Sequence, residues 1–273
     1  MASRRSPMTV VFALLALGLT GFARCGTGWK TVWQDEFDGA AGQAPSPANW
    51  TADVGTGWGN AQLEFDTDRP ENASLDGAGH LAITAIKEDY QGSRYTSARL
   101  LTKGKREQQH GRIEASIKLP AGQGLWPAFW LLGADIDEVS WPSCGEIDVM
   151  EYRGQQPDVI QGSLHGPGYS GGNPITDTFT LAPPGRFDDG FHLFAIEWDE
   201  GQIAWEVDGQ VYQVASRSRL AELHPGAPWV FDRPFYVLIN LAVGGTFVGA
   251  PDASTTFPQT MLVDYVRVLE RDP

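Results

Sequence analysis

The sequence predicts an all-β fold, a sandwich of two antiparallel sheets or a jelly roll. Three observations predict it. Apolar and polar residues alternate with period two in several separated segments, the signature of strands with one buried face. The 32 glycines and 18 prolines supply many tight connections between such strands. No stretch of twelve or more residues carries an apolar stripe at helical spacing. The 273 residues suit one large all-β domain, long enough to bury a core without disulfide staples. No repeat and no linker interrupts the chain from residue 29 to about residue 270.

The elements follow in order. Leu81-Ala82-Ile83-Thr84-Ala85-Ile86 alternates, and so does Ile113-Glu114-Ala115-Ser116-Ile117-Lys118-Leu119, which Pro120 ends. Segments 194–200 and 203–207 are joined by Asp199-Glu200-Gly201, a hairpin signal. Asp208-Gly209, between Val207 and Gln210, turns the next hairpin. Residues 216–223 have room for one short helical turn. Phe235 to Val243 is a nearly continuous apolar run, as expected of a strand covered on both faces. Leu262 to Leu269 alternates again and closes the domain. Stacked sheets of this kind offer a concave outer face, the natural place for a long ligand.

Charge and cysteine usage exclude several functions. The formal net charge is −14, and −16 once residues 1–23, which carry Arg4 and Arg5 and no acid, are set aside. A chain this acidic does not bind nucleic acid by neutralising its backbone, whereas a neutral polysaccharide is compatible with it. The two cysteines, Cys25 and Cys144, form no CxxC pair, which excludes a structural zinc site. A disulfide between them is compatible with export but is not fixed by sequence. Residues 1–23 read as a signal peptide. Arg4 and Arg5 form its basic region, Val10 to Leu19 an apolar run too short to span a bilayer, and Gly21-Phe22-Ala23 a small-residue exit. Ser3-Arg4-Arg5 also suggests twin-arginine export, against which Pro7 stands where a large apolar residue is expected. The expectation is a secreted, extracellular monomer of one domain, residues 24–273, with no membrane attachment after processing.

The informative segment is Gly145-Glu146-Ile147-Asp148-Val149-Met150-Glu151. On a regular strand Glu146 and Asp148 share a face and Glu151 points the other way. One extra residue in a β-bulge, with Met150 the natural candidate, returns Glu151 to that face. Three like charges on one face are poor structural design. They suit a glycosidase, in which one carboxylate attacks the anomeric carbon and a protonated partner releases the leaving oxygen. The alternative is a solvated charged strand. Trp126, Phe129, Trp130 and Trp141 lie just upstream, and aromatic faces beside carboxylates are what pyranose rings stack on. Trp126 and Trp130, four apart, can share a strand face; one is expected in the core and one in a cleft.

At this point the sequence resembles glycoside hydrolase family 16, in particular its bacterial laminarinases, over nearly the whole chain after residue 23. Val32-Trp33-Gln34-Asp35-Glu36-Phe37 looks like the family's opening. Gly111-Arg112-Ile113-Glu114-Ala115, Trp126-Pro127-Ala128-Phe129-Trp130-Leu131-Leu132-Gly133 and Ile239-Asn240-Leu241-Ala242-Val243-Gly244-Gly245 look like its inner segments, and residues 146–151 match its bulged E-x-D-x-x-E signature. The resemblance implies a jelly roll and a retaining endo-β-1,3-glucanase. Glu146 would be the nucleophile, Asp148 the assisting acid and Glu151 the acid/base, with His165 close by. Mixed-linkage β-1,3-1,4-glucan hydrolysis and non-catalytic glucan binding are the alternatives. Trp58, Asn60, Glu64, Arg99 and Asn240 match positions that line the sugar cleft. Thr246 and Phe247 stand where the family often has tryptophan, so Phe247 is the expected aromatic contact there. The resemblance also implies a structural calcium ion (Ca2+) at Glu36, the Gly79 carbonyl and Asp264.

Overall fold

In a computed structural model, residues 28–272 are described. The expected signal peptide and Cys25 lie outside them. Two eight-stranded antiparallel sheets form the sandwich. The first runs Gln210–Ser216, Gln202–Val207, His192–Trp198, Gly111–Lys118, Gln259–Arg271, Leu81–Ala85 and Ala73–Leu75, and Trp29–Asp35 also pairs with Gln259–Arg271. The second runs Ile175–Thr180, Val159–His165, Glu146–Tyr152, Leu125–Gly133, Phe235–Val243, Arg99–Leu101 and Thr51–Ala52, and Glu107–Gln108 also pairs with Phe235–Val243. Runs of consecutive hairpin strands alternate with neighbours distant in sequence, such as Gly111–Lys118 beside Gln259–Arg271 and Leu125–Gly133 beside Phe235–Val243, as in a jelly roll.

The inward residues of both sheets form one core, with Phe129, Tyr152, Phe194, Trp205 and Phe235 among its buried aromatics. Alternation is cleanest in Leu81–Ala85, where buried and half-buried residues alternate. The Asp208-Gly209 turn has φ of 49° and 80°, the positive pair that a two-residue hairpin needs to match strand twist. Asp199 Oδ1 accepts hydrogen bonds from the Gly201 and Gln202 amides and closes the preceding hairpin. The short helix Arg217–Leu223 starts where Ser216 accepts from the Arg219 amide, an N-cap.

Two segments depart from simple alternation, each for a physical reason. In Gly111–Lys118 even the outward residues are buried. Arg112 there donates to Glu114 at 2.6 Å and to Glu206 at 3.0 and 3.1 Å, so charge pairing covers the outer face. In Gln259–Arg271 the buried positions are Met261, Val263, Val266 and Val268. The parity changes at a bulge where the pairing with Gly111–Lys118 skips from Val263 to Tyr265. Asp264 occupies that skipped position, which is why an acid can sit within an otherwise apolar strand. The helical turn Ile136–Val139 carries no apolar stripe and is too short to leave a periodic signal.

Candidate active site

A cleft of about 710 Å³ lies over the outer face of the second sheet. It is lined by residues from five adjacent strands, from Arg99–Leu101 to Val159–His165. At the usual strand spacing it crosses roughly 19 Å of sheet. The floor holds Glu146, Asp148 and Glu151 together. Register shows how. Against Leu125–Gly133, Glu146 faces Leu132, Asp148 faces Trp130 and Glu151 faces Ala128, with the irregularity falling at Val149. Against Val159–His165, the same three face His165, Ser163 and Gln161. Both neighbours count four residue steps where the acidic strand uses five. The acids therefore sit on successive rungs of one face, about 13 Å from first to last Cα, instead of the ~16 Å of a straight five-residue span.

The expected bulge is present, spread over two residues instead of placed at Met150 alone. Val149 and Met150 both turn into the core. The bulge also leaves the Asp148 main-chain oxygen aimed inward, where the Trp205 indole N–H donates to it at 2.8 Å. Gly162 faces the bulge between Gln161 and Ser163. A Cβ there would lie 2.5 Å from Trp205 Cδ1 and 2.4 Å from the Tyr212 hydroxyl, so glycine is what lets the two aromatics approach the bulge from beneath.

Each terminal glutamate is held by an indole. Trp141 Nε1 donates to Glu146 Oε2 at 2.8 Å, and Trp126 Nε1 donates to Glu151 Oε1 at 3.1 Å. His165 Nε2 lies 3.2 Å from Asp148 Oδ2 and 3.9 Å from Glu146 Oε1. Burial and then the Asp148 charge push the Glu146 carboxyl up to about 8. Burial and then the Glu146 charge push Glu151 up to about 7. Asp148 is driven well above the usual carboxylate range by burial and by Glu151. The indole donors and His165 oppose the rise at both glutamates. The cluster thus retains protons near neutral pH, as acid catalysis needs. Both glutamates are raised, so the division into nucleophile and acid rests on position along the strand and not on proton affinity.

Residues 53–266 match the family described as Glycosyl hydrolases family 16. The chain belongs to this family. It is similar to the beta-glucanase of Rhodothermus marinus, with 42% identity over 252 residues covering 88% of this chain and 85% of that protein. Among solved structures, it resembles the laminarinase catalytic domain from Thermotoga maritima MSB8, with 46% identity, a TM-score of 0.83, and coverage of 89% and 99% of the two chains. It also resembles the endo-β-1,3-glucanase from Pyrococcus furiosus, with 45% identity, a TM-score of 0.84, and coverage of 89% and 95%.

Within this family 16 domain the residues expected to line the cleft fall into two groups. Trp58, Asn60, Arg99, Trp126, Trp130, Trp141, His165, Asn240 and Phe247 line it with the three acids. Glu64 does not. Its carboxylate is buried and accepts a hydrogen bond from the Val243 amide at 2.8 Å, so it ties down the end of the strand that carries Asn240. Trp126 and Trp130 both face the cleft, contrary to the expected division between core and cleft. Trp126 packs on Phe247, with ring centroids 4.9 Å apart, and Trp130 Nε1 donates to Asn240 Oδ1 at 2.8 Å. Gln161, on the cleft wall, was not anticipated; the period-two spacing Gln161, Ser163, His165 would have found it.

The positions implied for calcium are spread over three segments. Both carboxylate oxygens of Glu36 accept from Arg267, at 2.7 and 2.8 Å, so its main-chain oxygen is the less engaged donor for an ion. The Gly79 carbonyl and the Asp264 carboxylate are also oxygen donors, the hard-ligand type that suits calcium. Among the described residues, the one group of three or more side chains able to hold a metal is Glu146, Asp148 and His165. That group is the acid cluster itself, and its histidine suits calcium poorly.

Proposed function

We propose that this chain is a secreted endo-β-1,3-glucanase acting on laminarin-type glucan with retention of anomeric configuration. The observation that carries the reading is the bulged strand, which puts three carboxylates on successive rungs of a tryptophan-lined cleft. Glu146 attacks the anomeric carbon. As the glycosidic C–O bond breaks, the Glu151 carboxyl gives its proton to the leaving oxygen, and a glycosyl ester forms on Glu146. The Glu151 carboxylate then takes a proton from water, whose oxygen displaces Glu146 and restores the β-anomer. Asp148, beside Glu146 and within 3.2 Å of His165, positions the nucleophile and moderates its charge. The similarity to named laminarinases and endo-β-1,3-glucanases supports the choice of backbone, and the short basic-apolar leader supports secretion. A structural calcium at Asp264 and the Glu36 and Gly79 main-chain oxygens would steady the far side of the sandwich and takes no part in the chemistry.

The test is product analysis on laminarin, with proton NMR of the first product formed. A ladder of oligosaccharides appearing first as the β-anomer is expected. A fresh α-anomer would sink retention, and binding of laminarin without any new reducing ends would favour the glucan-binding alternative.

A further inference from the structure

We infer that Asp66 is a positioning residue for sugar recognition, fixing the Trp58 indole as a platform at the end of the cleft remote from the acids. The inference rests on the reading of the cleft as a β-glucan site.

Trp58 lines the cleft and is 38% exposed. It stands between Gly57 and Gly59, whose φ angles of 81° and 114° are positive, with Gly55 at 150° just before. Such a segment does not by itself hold a large ring in one orientation. The hold comes from beneath. The Trp58 indole N–H donates to Asp66 Oδ2 at 2.8 Å. Asp66 is buried on the short strand Glu64–Asp66, and its main chain exchanges two hydrogen bonds with Gly55, at 2.7 and 3.0 Å. One residue thus grips both the start of the glycine segment and the ring it carries. The Arg99 guanidinium also lies over the Trp58 ring, 5.1 Å from its centre and 4.8 Å from that of Trp130, and Arg99 pairs with Asp53 at 3.0 Å. The ring is therefore clamped by one hydrogen bond and one cation.

The other Asp66 oxygen, Oδ1, is buried without a partner, so the indole is the side-chain partner this carboxyl serves. Burial and the neighbouring Glu64 drive Asp66 well above the usual carboxylate range. A neutral amide is then a close substitute for it. The strand Arg99–Leu101 lies three strands from the acidic strand, roughly 14 Å away across the sheet. Arg99, against which the Trp58 ring packs, springs from that strand, so on this inference the platform serves sugar rings beyond those at the reacting bond.

The experiment compares the wild-type chain with Asp66→Leu, Asp66→Asn and Trp58→Phe on laminarin and on β-1,3-linked di- and trisaccharide glycosides. Asp66→Leu should raise KM on laminarin about five- to tenfold, as expected for one lost hydrogen bond and a freed ring, with kcat unchanged and the short glycosides unaffected. Asp66→Asn keeps an acceptor oxygen and should restore the wild-type KM. Trp58→Phe removes the donor and part of the platform, so it should raise KM on laminarin at least as much as Asp66→Leu, and adding Asp66→Leu to it should bring no further loss. Equal losses on long and short substrates, no loss on laminarin, or an Asn variant as impaired as Leu would each overturn the inference. If Asp66→Leu fails to fold, the exposed Trp58→Phe variant and the Asn variant carry the same comparison. A wild-type chain inactive on every β-1,3-glucan would overturn the functional reading and this inference with it.

Discussion

Glu146, Asp148 and Glu151 each raise the proton affinity of a neighbour in a partly enclosed floor, and that coupling governs what substitution does to each. Replacing Glu146 with Gln removes the attacking oxygen while keeping the Trp141 hydrogen bond acceptor. We expect kcat to fall by at least about 10³, the scale of losing a reacting group, with an unchanged circular dichroism spectrum. His165 acts through charge. It lowers proton affinity at both glutamates, so His165→Gln should let both rise. The ascending limb of the pH profile of kcat/KM, which reports ionisation of the nucleophile, should then move to higher pH; a limb that stays or moves down would contradict this electrostatic role. The acids were legible in the sequence because like charges at such spacing have no structural use. Their indole partners were not. Trp126 and Trp130 read equally well as core, and nothing local says that both project outward. Glu64 misled for the converse reason, since a carboxylate that accepts a main-chain N–H from a distant strand looks in sequence like one that faces a ligand.

The element that makes the site is the bulge, and its support comes from the opposite sheet. The Trp205–Asp148 hydrogen bond crosses the core, and Gly162 makes room for it. Gly162→Ala should therefore push Trp205 away, cost about 1–3 kcal/mol by overpacking, and lower kcat through a shifted Asp148. Thermal melts and laminarin kinetics on one variant would show both effects, and a loss of stability without loss of kcat would mean that the bulge holds without Trp205. A bulge somewhere in residues 146–151 was legible because a regular strand leaves Glu151 on the wrong face. Its spread over Val149 and Met150 was not, because both are apolar and both fit the core. The bulge at Asp264 escaped in the same way, since an acid followed by Tyr265 mimics ordinary alternation.

For the whole molecule, the buried acids tie stability to pH. Glu146 and Glu151 have folded-state proton affinities raised to about 8 and about 7, above the unfolded value near 4.5. The folded state then binds more protons than the unfolded state between those limits. Their contribution is fully present below pH ~4.5 and is lost as pH rises through 7 to 8. The melting temperature should fall between pH 5 and pH 9, and Glu146→Gln should flatten that fall; an identical fall in the variant would contradict it. The proposed calcium gives an independent prediction. Chelation should lower the melting temperature by several degrees, calcium should restore it, and Asp264→Asn should melt low and ignore both additions. The sandwich was the most legible scale of all, because period-two alternation survives in most strands. What hid was the charge pairing of Arg112 with Glu114 and Glu206, which buries an outward face that looks solvated in sequence.

The cleft runs across five strands, not along any one of them, so each strand offers its own side chains to a different stretch of substrate. Residues two strands apart lie roughly 10 Å from one another, far enough for their energetic effects to add. Substrate preference in this protein should therefore be editable one strand at a time. A change at Asn240 and a change at Gln161 should combine as the product of their separate effects on kcat/KM, while two changes on the acidic strand itself should not.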